Sequence, residues 1–305
     1  MDCPRQYFFE FVLGWRPNEP NVHLEFGNAT HKAMEVLLEH SLATGEPAYA
    51  GYTDDAMIEA YFRFEAYYRQ FFSPDMDEVN SPKNPVCFNR MLRAYVKQYE
   101  PLDDFVVKFI EVAGSVELIK GRTIYYRSDA ICETPQHEIF TLEHKTASRF
   151  GRLWTDQWRQ KMQVGVYSHV LYCYFPENKV FGVKINGMIP HEAPELKRDG
   201  TAKAGTKDCE FARVPLRKTL DQMEDWYWNA CEWICDIEDD FKMLAESNDE
   251  SHVMNCTKYF GCPYADYCFA WPNPLQHCGE PPIGFKVEHW NPLELVQESK
   301  NVINV

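Results

Sequence analysis

The chain has 305 residues, of which 45% are hydrophobic, 15% aromatic and 25% charged, and its formal net charge is -15. This balance supplies a sizeable core and excludes a disordered chain or one coated in basic surface, while leaving room for a local phosphate-binding groove. No run of about 18 apolar residues occurs, and Met1-Asp2-Cys3-Pro4-Arg5 lacks a basic region leading into an apolar one, so no membrane span or secretory signal is predicted and a cytoplasmic protein is expected.

Phe8 to Trp15 is apolar and aromatic and reads as a short helix end. An amphipathic helix is predicted over Asn28–Ala43, with Gly27 at its entry and Ala33, Val36, Leu37 and Leu38 on its apolar face. A second helix is predicted over Thr53–Phe72, with Thr53 or Asp54 as its cap and Tyr61, Phe62, Phe64, Tyr68 and Phe72 as an aromatic face best read as core. Ser73–Pro85 carries three prolines and reads as a loop, and a third helix follows from Val86 to Tyr99.

The pattern then turns to β. Phe105–Leu118, Arg122–Glu133 and Glu138–Lys145 are rich in Val, Ile, Thr, Phe and Tyr, and turn signals at Lys120-Gly121 and Thr134-Pro135 separate them. Leu153–Tyr174 returns to helical period, Lys179–Ile189 reads as another strand, Ala193–Cys209 as a mobile loop, and Leu216–Ala245 as a long helix. Strands, a helix and a further strand imply an α/β fold with a small mixed sheet flanked by helices.

Eleven cysteines in a cytosolic setting disfavour disulfides. Cys87, Cys132, Cys173, Cys231 and Cys235 sit among apolar neighbours and read as packing residues. Lys197, Arg198, Lys203, Lys207, Arg213, Arg217 and Lys218 are mixed with acids and fit a solvated surface as well as a phosphate-binding one. Arg149, Arg152, Arg159 and Lys161 flank the chemistry described next and are the favoured DNA-contacting group.

The strongest chemistry lies around Asp129 and the segment Glu143-His144-Lys145. Residues two apart on a strand share a face, so Glu143 and Lys145 point one way and His144 the other. If the two strands form a hairpin, Asp129 comes close to Glu143. Two carboxylates there suit Mg²⁺ or Mn²⁺, and Lys145 can orient a water and stabilise charge on a phosphate. Glu-x-Lys alone is common on solvated strands. Its weight comes from the upstream Asp129 and from the helix behind it, where Gln163 and Tyr167 share a face.

Phe26-Gly27 with His31, then Asp129, then Glu143-His144-Lys145-Thr146, then Gln163 and Tyr167 follow the motif order of RecB-like PD-(D/E)XK nucleases, which the chain resembles over most of its length. The resemblance implies a restriction-endonuclease-like core in which His31, Asp129, Glu143 and the His144 carbonyl are metal ligands. It implies that Lys145 is the catalytic lysine and that Gln163 and Tyr167 support the site and contact DNA. It also implies one nuclease domain over 1–305, with a catalytic core at 105–190 and a helical insertion at 53–104.

Cys256, Cys262 and Cys268 are separated by two five-residue gaps, and three thiolates leave a four-coordinate site one ligand short. Cys3 is the favoured fourth, with Cys278 as a local alternative. The arrangement resembles the iron–sulfur branch of the same family, as in AddB-type nuclease domains and CRISPR-associated RecB-like exonucleases, although the first gap is wider here. It implies a [4Fe–4S] cluster in a module of residues 1–15 and 250–280, with Zn²⁺ as the competing metal. The cluster would staple the first residues to the last third of the chain.

The function expected is divalent-metal-dependent hydrolysis of DNA phosphodiester bonds, as an exonuclease on single-stranded or frayed ends. Recombination, repair, phage DNA processing or CRISPR adaptation, in a bacterial, archaeal or phage-infected cell, would fit. The alternative is a non-catalytic DNA-binding subunit beside a helicase, recombinase or integrase. A third reading is a zinc-stabilised metalloprotein acting on another phosphate ester. No Gly-x-x-x-x-Gly-Lys-Ser/Thr loop occurs, so no ATP motor is expected within the chain.

Overall fold

The computed structural model describes residues 3–119, 121–193, 197, 207–246, 261–270, 277–291, 294 and 303. Most of the expected Ala193–Cys209 loop, Cys256 and about half of the tail beyond Pro272 lie outside these residues. The chain divides into two compact units, one drawn from Met1–Pro20 with Tyr227–Glu294 and the other from Asn21–Trp226 with Leu295–Val305.

The first unit opens with α1 (Pro4–Tyr7), a π-helical turn over Phe8–Val12 and β1 (Trp15–Pro17). The second begins with α2 (Val22–Thr44), α3 (Asp54–Tyr68) and α4 (Pro85–Tyr99). Each of these helices has a side-chain cap. The Asn21 carboxamide accepts the His23 and Leu24 amides, Thr53 accepts Ala56, and Asn84 accepts Cys87 one residue before Pro85. Each cap satisfies an amide that the first turn leaves open, worth roughly 1 kcal/mol. The Asn21 cap corrects the sequence reading: α2 starts at Val22, and Gly27 lies inside it. A Cβ on Gly27 would stand 3.4 Å from Thr146 Oγ1.

The sheet follows, with β2 (Val106–Ile119), β3 (Arg122–Glu133) and β4 (Ile139–Thr146). Next come α5 (Arg152–Gln157), α6 (Met162–Tyr174), β5 (Val180–Pro190), β6 (Cys209–Leu216) and α7 (Leu220–Glu246), which runs into the first unit. The strand order is β2-β3-β4-β5-β6. Only β4 and β5 pair in parallel, through the α6 crossover, so the sheet is mixed as expected.

Two apolar layers cover the sheet. Ala130, Cys132, Phe140 and Leu142 join a core with Phe26, Leu37, Phe64, Phe88 and Tyr95 from α2, α3 and α4. Ile131, Ile139, Val183 and Ile185 join a second core with Val164, Tyr167, Val170 and Leu171 from α6. The aromatic face of α3 is therefore core at Phe64 and Tyr68, while Phe62 is exposed.

Three further corrections arise. The single helix expected over Leu153–Tyr174 is two, because Lys161 takes an extended conformation before α6. The strand β6 fills the interval between the expected loop and the expected helix, which the sequence reading left unassigned. It is an edge strand and carries Pro215, which an edge tolerates because one side needs no ladder donor. Of the five cysteines read as packing residues, Cys87 and Cys132 are buried, Cys231 is half-buried, and Cys173 and Cys235 are exposed because they lie on outward positions of α6 and α7.

The first unit is completed by α8 (Ala265–Ala270) and β7 (Phe285–Val287), which pairs antiparallel with β1. Phe9, Trp15 and Tyr264 form its core, with the Phe9 and Trp15 rings stacked at 5.2 Å and the Tyr264 hydroxyl donating to the Trp15 carbonyl at 2.6 Å.

Candidate active site

The end of the β3–β4 ladder builds the site. The last paired residues are Ala130 and Leu142, and Asp129 and Glu143 lie just beyond them. There the side chains take over from the backbone. Glu143 Oε1 accepts the Asp129 amide at 3.3 Å and the Ser128 hydroxyl at 3.1 Å. Asp129 Oδ2 accepts the His144 amide at 2.7 Å. The hairpin that the sequence required thus brings the two carboxylates together.

Helix α2 supplies His31, whose Nδ1 lies 3.0 Å from Asp129 Oδ1. Lys145 Nζ lies 3.6 Å from Glu143 Oε2. From α6, Gln163 Nε2 approaches the same oxygen at 3.5 Å and donates to the Tyr167 hydroxyl at 3.0 Å, and Tyr167 donates to the Arg127 carbonyl at 2.6 Å. His144 turns its ring to the other side of β4 and is buried there. His31, Asp129, Glu143, Lys145, Gln163 and Tyr167 therefore meet in one patch.

Sequence reasoning missed Glu111 on β2. The pairs Ile110↔Ala130 and Val112↔Ser128 bracket it opposite Asp129. Its φ of 48° is left-handed, a strained conformation for a side-chain-bearing residue. Its carboxylate is paired with Arg127 at 2.5 Å. Among the described residues, His31, Glu111 and Asp129 form a group whose ligand atoms all lie within 4.8 Å of one another. No sequence signal marked Glu111, which looks like an ordinary charge on a strand.

The electrostatics follow from this crowding. Burial pushes the Asp129 carboxyl up, but His31, by charge and hydrogen bond, helped by Lys145 and His144, holds it well below the usual carboxylate range. Burial pulls His31 down, and the Asp129 carboxylate outweighs it and raises the imidazole. Glu111 and Glu143 are both raised, first by burial and then by the Asp129 charge. Burial lowers the His144 ring, leaving it neutral. An ionised Asp129 that raises two neighbouring carboxyls, with an imidazole beside it, fits a hard divalent cation such as Mg²⁺ or Mn²⁺.

Arg149, Arg152, Arg159 and Lys161 are exposed between β4 and α6, and Arg152 Nε pairs with Asp156 at 3.2 Å. Arg213, read from sequence as surface, is instead largely buried against Asp103. In the other unit, Cys3 is buried, and Cys262, Cys268 and Cys278 pack against the Phe9, Trp15 and Tyr264 core.

Acidic and imidazole groups converging beside a lysine at the end of paired strands are the groups that metal-assisted attack on a phosphate ester uses. Residues 1–269 match the family model of the PD-(D/E)XK nuclease superfamily, and the chain belongs to that superfamily. Membership implies a metal-dependent nuclease that hydrolyses phosphodiester bonds, with DNA as substrate. No curated protein matches the chain. Among the described residues no helix is long and apolar enough to cross a membrane.

Proposed function

We propose that the protein is a divalent-metal-dependent deoxyribonuclease that works as an exonuclease on single-stranded or frayed DNA ends. The observation that carries the nuclease reading is the joint placement of His31, Asp129, Glu143 and Lys145, with Asp129 bonded to both His31 and the His144 amide. The exonuclease form and the iron–sulfur cluster follow the branch that the sequence resembles, an argument by analogy.

His31, Asp129, Glu143 and the His144 carbonyl, joined by Glu111, would hold the cation. When bound, it would polarise a phosphoryl oxygen and acidify a water. Lys145 sits beside Glu143 and is placed to orient the attacking water and to balance charge on the phosphate. Tyr167 and Gln163 keep Glu143 in place from α6. Arg149, Arg152, Arg159 and Lys161 would contact the DNA backbone, whose binding would weaken with salt. Cys3, Cys256, Cys262 and Cys268 would hold the [4Fe–4S] cluster, and the shared unit that contains Cys3, Cys262 and Cys268 supports this reading. Cys278, in the same unit, is the alternative ligand.

The test is cleavage of end-labelled single- and double-stranded DNA by anaerobically purified protein with Mg²⁺, Mn²⁺ or EDTA. Metal-dependent shortening from an end, lost in Lys145→Ala while DNA binding persists, is the expected result. Internal cuts alone would refute the exonuclease form, and no cleavage by folded protein would refute the enzyme.

A further inference from the structure

A second polar network lies on the side of β4 away from Glu143 and Lys145. At its centre is Asn186 on β5, fully buried and in register with His144. Arg213 on β6 is in register with Asn186 from the other side. Arg213 Nε donates to Asn186 Oδ1 at 2.7 Å. Its terminal nitrogens pair with both Asp103 oxygens at 3.0 and 2.8 Å, and one also reaches the Tyr95 hydroxyl at 2.8 Å. The Asn186 amide nitrogen donates to Tyr95 at 3.0 Å and meets His144 Nδ1 at 2.8 Å.

The direction of each bond follows from one group. A guanidinium can only donate, so the Asn186 atom facing Arg213 is the amide oxygen. The amide nitrogen therefore faces His144, and His144 Nδ1 must accept. A neutral imidazole with an accepting Nδ1 carries its proton on Nε2. No donor among the described residues competes for that position, since His144 Nε2 is buried with no hydrogen-bond partner there. Tyr95 accepts from both Arg213 and Asn186, so its own proton goes to Tyr49 at 3.0 Å.

The ring so fixed belongs to the residue between Glu143 and Lys145, whose amide donates to Asp129. The opposite tautomer would set two donors against each other at 2.8 Å, and the ring would have to leave the position it holds beside Asn186. We propose that Arg213, held by Asp103, and Asn186 are positioning residues of the nuclease centre: they lock His144 in the Nε2–H tautomer and so hold the Glu143–Lys145 backbone against Asp129. The proposal rests on the reading of that centre as the cation site. It gives the helical insertion at 53–104 a part in the chemistry, because Tyr95 and Asp103 come from it and not from the sheet.

The test begins with ¹⁵N-histidine spectra of the metal-free full-length protein, with His144→Gln used to assign the signal. An unprotonated Nδ1 and a protonated Nε2 are expected, and a protonated Nδ1 overturns the proposal. Asn186→Asp presents an acceptor to Nδ1 and keeps a partner for Arg213. It is expected to move the proton to Nδ1, weaken Mn²⁺ binding by about 10- to 100-fold in calorimetric titration, and lower kcat on DNA with KM little changed. A folded Asn186→Asp protein with Mn²⁺ affinity and kcat within about twofold of the parent overturns it. Should that variant not fold, Asp103→Asn, which loosens Arg213 but leaves Asn186 in place, is read the same way. Its expected loss of Mn²⁺ affinity is smaller, about 3- to 10-fold, and an unchanged affinity overturns the proposal. The spectra and the titration need no DNA, so they separate failure of the network from failure of the nuclease reading.

Discussion

Asp129 Oδ2 accepts the His144 amide at 2.7 Å, just past Ala130 and Leu142, the last backbone pair between their strands. A carboxylate of the proposed cation site thus also closes the open end of a β-ladder. Structure and chemistry separate on substitution. Asp129→Asn keeps an acceptor for the amide and is expected to abolish cleavage, by more than about 1,000-fold, with little change in melting temperature. Asp129→Ala leaves that amide unsatisfied and should cost about 1–3 kcal/mol more than the Asn variant. Equal stability of the two in denaturant melts would show that the ladder role is empty.

Glu111→Gln tests the residue that only the fold exposes. Removing a carboxylate that Asp129 repels should leave metal-free stability unchanged or higher, since the Arg127 pair it breaks is partly exposed and worth little. Mn²⁺ affinity is expected to fall at least about tenfold in calorimetric titration. Undiminished affinity would remove Glu111 from the site.

Lys83 gives the pH dependence. It lies at the foot of α4 with no carboxylate partner among the described residues, and burial lowers its ammonium to about 8. The unfolded chain, with a lysine near 10.4, holds more protons than the folded one between these values. Stability from this group therefore rises with pH from about 8 to about 10, and the full cost is present below 8. Lys83→Met should be more stable than the parent at pH 7 by about 1–2 kcal/mol, allowing for solvent screening, with the difference closing toward pH 10. Urea melts across that range measure it, and a constant gap would contradict the assignment.

Gly165 on α6 is a packing constraint. A Cβ there would lie 2.0 Å from Trp226 Nε1, and that buried indole donates to Met162 Sδ at 3.0 Å. Gly165→Ala must displace the ring. The expected net loss is about 1–2 kcal/mol, overpacking exceeding the helical gain of alanine, with a red shift in tryptophan emission. An unshifted spectrum and unchanged stability would mean that α7 yields there at no cost.

The residues legible in sequence were those whose spacing carries the information. Glu143 and Lys145 share a face by strand period, Gln163 and Tyr167 by helix period, and the hairpin needed to join Asp129 to Glu143 was marked by Thr134-Pro135. Glu111 was hidden because it breaks the period it sits in. Ile110 packs toward the helical core while Val112 packs toward α6, although residues two apart on a regular strand share a face. The left-handed residue between them makes the switch, and no composition signal announces it. Arg213 was misjudged because its partners, Asp103 and Asn186, are distant in sequence and meet only when β5 and β6 pair. The strand that carries it was itself missed, since it lies in the unassigned interval between the expected loop and the expected helix.

The pairing of Trp15–Pro17 with Phe285–Val287 has a consequence for synthesis. Trp15 leaves the ribosome about 270 residues before its partner Val287. At roughly 5–20 residues per second, that is a delay of about 15–55 s. During it every strand of the five-strand sheet has been made, while the Phe9 and Trp15 rings still lack their Tyr264 and Phe285 neighbours. The residues of the candidate site are therefore all synthesised well before the unit that joins the two distant segments can be complete.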